Sequence, residues 1–174
     1  RRIIMARRKS KIQPSVLTMA FSLPDGPATS TIDLSQVASI MNRRFYRQGI
    51  NWAVAGFKVI SPAGATGALS VAQLPNTWVL SNAWEKGFRA WHRQQRDALE
   101  DGTQESVKAK FNDFKIFADA DHLSAGIAGN LLPIDFAGAT FAVGEWDASQ
   151  IVIPNYGTPG TNYEPYLIGV GADV

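Results

Sequence analysis

The residues best equipped to act on another molecule are cationic and lie early in the chain. Arg7, Arg8, Lys9 and Lys11 cluster ahead of Pro14. Such a run can neutralise phosphates without reading bases. Each contact releases counterions, so binding of this kind weakens steeply with salt. The more ordinary reading is a solubilising tail. Arg43, Arg44 and Arg47 form a second basic group, with Phe45 and Tyr46 between them. An aromatic ring beside arginines can stack on an unpaired base. The competing reading is a strand edge with solvated arginines and a buried Phe45.

Other chemistry is thinly represented. Asp119, Asp121 and His122 offer two carboxylates and an imidazole to a cation. The glycine and terminal glutamate of a calcium loop are missing, so a turn built on Asp side chains is the expectation. Glu145 and Asp147 flank Trp146. On a strand they would face one side about 7 Å apart, within the range of about 5–10 Å used by glycosidase carboxylates. Nearly any strand with two acids meets that test. The chain has no cysteine and only two histidines, which excludes disulfides, thiolate nucleophiles and Cys-type zinc sites. Nucleophile elbows, phosphate loops and dinucleotide fingerprints are absent. The expectation is a non-enzymatic chain with no cofactor, no metal and no small-molecule substrate.

Charge is distributed unevenly. Residues 1–47 carry nine basic and two acidic groups, a net +7, and residues 48–174 carry eight basic and thirteen acidic, a net −5. A basic end on an acidic body is the pattern of an arm that holds a polyanion. No apolar run is long enough to span a membrane. Residues 16–23 are too short and too broken to serve as a signal peptide. Met5 resembles a start site, and the last apolar run ends close to Val174, so a longer natural chain is expected.

The elements that must position these groups are read from periodicity. Residues 1–30 read as a basic, flexible arm. Ile32, Leu34, Val37 and Ile40 suggest a strand followed by an irregular segment. Residues 51–61 alternate with apolar groups on both faces, as an interior strand does. After the turn at 61–67, residues 68–74 supply a second strand and complete a hairpin. Trp84, Phe88 and Trp91 then fall at i, i+4 and i+7, one face of a helix running from Ser81 to Leu99. Asn76 or Ser81 is the expected cap, and Glu85–Arg89 and Arg93–Asp97 are the expected ion pairs. This aromatic face is expected to pack on a sheet. A carbohydrate platform, a base-stacking surface or an assembly interface built on Trp78, Trp84 and Trp91 with Phe88 is the alternative. A short helix over 103–110, strands at 113–119, 141–153 and 166–170, and loops at 124–140 and 154–164 complete the reading.

Residues 74–95, LPNTWVLSNAWEKGFRAWHRQQ, resemble a segment of the capsid proteins of small circular single-stranded DNA viruses of environmental and marine origin. FNDFKIFADAD (111–121), GEWDASQIVIPN (144–155) and EPYLIGVGAD (164–173) are similar in kind and order. The resemblance is diffuse and spans residues 31–173. It implies a mainly β fold: a jelly-roll antiparallel β-sandwich over residues 31–174, with the helix inserted and the last strands missing. It also implies self-assembly into an icosahedral shell in the virion, with assembly in the host nucleus and an inward arm on single-stranded DNA. The alternative is a monomeric carbohydrate-binding β-sandwich with exposed tryptophans.

Overall fold

A carboxylate at residue 33 begins the ordered body. In the computed structural model, which describes residues 16–101, 111–155 and 158–167, the first element is helix α1 (Leu34–Asn42). Asp33 precedes it in extended conformation. One oxygen, Oδ1, accepts the N–H groups of Ser35 at 2.9 Å and Gln36 at 3.3 Å. This is the capping role that a short acidic side chain fills well. The helix ends at Arg43, which adopts the left-handed conformation with φ 49°. A strand was expected here, and the cap is what overrides it. With Asp33 fixing the start, Leu34, Val37, Ala38 and Met41 fall on one helical face, and Val37 and Ala38 are fully buried.

Helix α2 (Trp78–Asp101) follows the expected aromatic stripe. Its cap is Thr77, between the two residues expected: Leu80 N–H donates to the Thr77 hydroxyl at 3.3 Å. Glu85 and Arg89 pair at 2.9 Å as expected. Asp97 faces Arg96 rather than Arg93, and Arg96 also reaches Glu100 at 3.6 Å. The aromatic face of α2 closes on one ring. Phe114 is buried, with Trp84, Phe88 and Trp91 at centroid distances of 5.6, 5.8 and 5.6 Å. The helix therefore packs on an extended segment, not on a sandwich.

That segment, residues 113–117, is central without lying in a sheet. Successive residues of an extended chain turn their N–H and C=O groups to opposite edges. Lys115 pairs with Ser149 on one edge, through Ser149 N–H to Lys115 C=O and Lys115 N–H to the Ser149 hydroxyl. Phe117 accepts from Leu167 and donates to Pro165. Ile116 faces the other edge. There the Gln48 side chain takes its N–H and donates to its C=O, at 2.8 and 3.1 Å. Beyond it come α3 (Ala120–Ala125) and a 3₁₀ turn (Ile127–Gly129). Residues 16–31 meet the body at 130–134, where Ile134 donates to Ala20 C=O and Leu131 to Thr31 C=O.

The expected jelly-roll sandwich is not formed. Among the described residues there is one sheet, an antiparallel pair of β1 (Ile151–Asn155) and β2 (Thr158–Tyr163). The second strand lies in what was expected to be a loop. Its register shifts between Ile153 and Asn155, around Pro154, which lacks an N–H to donate. Gly160 fits where no side chain would: a Cβ there would meet Ile153 O and Val152 Cγ1, each at 2.9 Å. The physical reason for the missing sandwich lies in residues 51–77. They keep their strand-like sequence but form no ladder with each other or with the body among the described residues. Only local turn bonds form among them, such as Ala65 N–H to Pro62 C=O. The expected helix over 103–110 and most of the expected strand at 166–170 lie outside the described residues.

Two glycines make opposite predictions. Gly87 sits inside α2, and a Cβ there would meet Phe114 Cζ at an ordinary 3.5 Å. Gly87→Ala should raise stability by about 1 kcal/mol, seen as a higher urea midpoint. Gly160→Ala should lower it and weaken the β1–β2 pairing.

Candidate nucleic-acid interface

The surface that carries Arg43, Arg44 and Arg47 is held by polar contacts beneath it. Asp33 is their centre. While Oδ1 caps α1, Oδ2 accepts Gln48 Nε2 at 2.7 Å and Trp146 Nε1 at 3.2 Å. One carboxylate thus joins α1, the chain at residue 48 and the segment at 146. Ser35 adds a second tie: its hydroxyl donates to Arg47 C=O at 3.1 Å and accepts from Trp52 Nε1 at 3.1 Å. Ser39 receives Tyr46 N–H at 2.8 Å. These bonds fix the backbone of residues 45–48 against α1, so the arginines project from a constrained loop.

All three arginines are exposed, and none joins an ion pair among the described residues. The Arg44 guanidinium lies 5.8 Å from the Tyr46 ring centroid. Tyr46 in turn meets Trp52 edge-on at 5.6 Å. Phe45 turns inward, half-buried, with Phe111 at 5.8 Å and Trp146 at 6.2 Å. The loop is not the strand edge expected: it presents solvated arginines, with half-buried Phe45 and Tyr46 between them. Arg7, Arg8, Lys9 and Lys11 lie outside the described residues.

An open cleft of about 430 Å³ adjoins this loop. Arg43, Arg44, Phe45, Phe111, Glu145 and Trp146 contribute to its wall. Under its floor runs Lys115, whose side chain is almost fully buried. Its ammonium pairs with Asp113 at 2.9 Å, donates to Glu145 C=O at 3.2 Å and sits 4.7 Å from the Trp146 ring centroid. A buried lysine is costly unless its charge is met, and here a carboxylate, a carbonyl and a ring meet it.

The remaining candidates are absorbed into structure. Asp119 caps α3 by accepting His122 N–H at 2.7 Å. His122 is buried. Its Nδ1 accepts Ala118 N–H at 3.0 Å, and its Nε2 faces Asn130 Oδ1 at 2.7 Å. Asn130 then donates to Gln36 Oε1 at 2.8 Å. Both ring nitrogens are occupied, and no group of three potential ligands gathers among the described residues. Glu145 and Asp147 are exposed on either side of buried Trp146, and no strand forms there. Of the tryptophans, Trp84 and Trp91 pack on Phe114, Trp146 is 5% exposed and Trp78 is 79% exposed.

Sequence reasoning missed a second basic face. Arg89, His92, Arg93 and Arg96 line a shallow groove of about 190 Å³ beside Phe88. Their spacing of i, i+3, i+4 and i+7 places them on one side of α2, so the signal was present. The Asp33 Oδ2 and Gln48 roles had no such signal, since their partners are remote in sequence. No helix is long and apolar enough to cross a membrane among the described residues. No family model, no curated protein and no solved structure matches the chain.

Removing the Asp33 carboxylate should be the most damaging single change on this surface. Asp33→Ala loses the cap of α1 and leaves the donors of Gln48 and Trp146 without their acceptor. The expected loss is about 3 kcal/mol in urea unfolding. Arg44→Ala, with an exposed side chain, should stay within about 0.5 kcal/mol of the parent.

Proposed function

We propose that this chain is a non-enzymatic coat subunit that self-associates and packages single-stranded DNA by charge. The observation that carries the reading is the extended, unpaired segment 51–77. Val54, Phe57, Val59, Ile60, Leu69, Val71 and Leu74 are all exposed there, Ile60 at 84% and Phe57 at 68%. Lys58 is the only charged residue between positions 48 and 84. A row of this kind in a solitary soluble chain is an aggregation hazard. In a subunit it is an interface that awaits its partner.

A second copy of the chain is the occupant this segment fits. Apart from local turn and helix-start bonds, its backbone N–H and C=O groups have no backbone partner among the described residues, so strand addition between copies would satisfy them while burying the side chains. The β1–β2 pair is too small to stand alone as a sheet, and strands from neighbours would extend it. Covering the seven side chains gains on the order of 1–2 kcal/mol each. That total is comparable with the association cost of about 4–15 kcal/mol. The resemblance to single-stranded DNA virus capsid proteins supports the same reading, as does the basic end on an acidic body. This proposal does not require a jelly roll.

Sedimentation and light scattering test it. The chain should run as assemblies well above 18.9 kDa, and Phe57→Asp with Ile60→Asp should give monomers with an unchanged far-UV circular dichroism spectrum. A chain that remains monomeric at all concentrations, with or without single-stranded DNA, defeats the proposal. Binding to single-stranded DNA should fall with salt. Replacing Arg7, Arg8, Lys9 and Lys11 by Ala should reduce the log–log slope by about 3, at about 0.7 per phosphate contact.

A further inference from the structure

We infer that the cleft beside α1 is a seat for one nucleotide of a single strand, with a preference for bases that carry an exocyclic amine. This rests on the nucleic-acid reading above and adds a site to it. Three kinds of group meet at the cleft. Arg43 and Arg44 stand exposed at its edge, with no ion pair among the described residues. Phe111, 56% exposed, and half-buried Phe45 give it an aromatic wall. Glu145 is an exposed carboxylate that also lines the cleft, and its own C=O is tied down by Lys115.

The ligand must answer all three. It needs an anion for the arginines, a flat apolar face for the rings and N–H donors for the carboxylate. A bare phosphate leaves the rings and Glu145 unused. A neutral sugar leaves the arginines without a partner. A nucleotide bearing cytosine, adenine or guanine supplies phosphate, π-face and amine together, and carboxylates accept from such amines. Its size suits a volume of about 430 Å³, which lies in the range of small-molecule sites. Asp113 also lines the cleft, but Lys115 neutralises it at 2.9 Å, so Glu145 is the carboxylate with no ion pair there among the described residues. Thymine has no exocyclic amine and offers less to that carboxylate.

The site differs in kind from the amino-terminal cations. Those neutralise any phosphate chain and read nothing. The cleft reads the presence of a base and one feature of its edge.

Fluorescence anisotropy with the full chain separates the two. Three short oligonucleotides of equal length serve as probes: deoxycytidine, thymidine and abasic. The deoxycytidine strand should bind about tenfold tighter than the abasic one, the scale of one stacked base. Glu145→Ala should abolish the preference for deoxycytidine over thymidine. Phe111→Leu should lower both base-bearing strands. Equal affinity for all three probes in the parent protein overturns the cleft assignment and leaves the charge-based reading standing. No binding of any probe at low salt overturns both. Full displacement of the deoxycytidine strand by free cytidine monophosphate at a matching concentration would make the cleft a small-molecule site and overturn its assignment to a strand.

Discussion

A folded body with so little sheet depends on side chains to satisfy its backbone. Buried N–H and C=O groups left without partners cost free energy that packing cannot replace. The Asp33 carboxylate meets that constraint at the start of α1 and, with its other oxygen, gathers Gln48 and Trp146. Gln48 passes the function on, presenting its amide to Ile116 as a neighbouring strand would present a peptide. Farther along, Gln36, Asn130 and His122 form a second buried relay. Polar residues such as Gln36, Lys115, His122 and Asn130 share the interior with Val37, Phe114, Phe117 and Trp146. Such an interior is specific because each amide has one orientation that serves both neighbours.

The same economy separates the chain into two kinds of surface. Around α1 the backbone is pinned, and the arginines emerge from fixed positions. Over residues 51–77 no backbone ladder pins the segment among the described residues, although Trp52 anchors its beginning through Ser35 and Tyr46. The exposed arginines thus sit on the pinned side, apart from the exposed apolar stretch.

What was legible in the sequence follows from range. The aromatic spacing of α2 is a local signal, and it gave the helix and the Glu85–Arg89 pair. The exposure of Arg43, Arg44 and Arg47 was legible for the same reason. α1 was misread because alternation at Ile32 and Leu34 masked the cap at Asp33, whose consequence is a period of 3.6 from Leu34 onward. β2 was misread because Pro159 and Gly160 are turn formers by type, while the need for glycine comes from Ile153 and Val152 across the ladder. The strand patterns at 51–61 and 68–74 are present in the residues. What is missing is a partner among the described residues, and pairing is a property of two segments rather than one. The amide contacts of Gln48 and Gln36 join residues 68 and 94 positions apart, which no periodicity can reveal.

Gln94 gives this arrangement a further consequence. Val152 turns its N–H and C=O away from β2, and the Gln94 side chain on α2 takes both. The outer flank of the ribbon is therefore stoppered by an amide that a single rotation about a side-chain bond can withdraw. A strand added along this flank would first have to displace that amide, exchanging one pair of hydrogen bonds for a longer ladder.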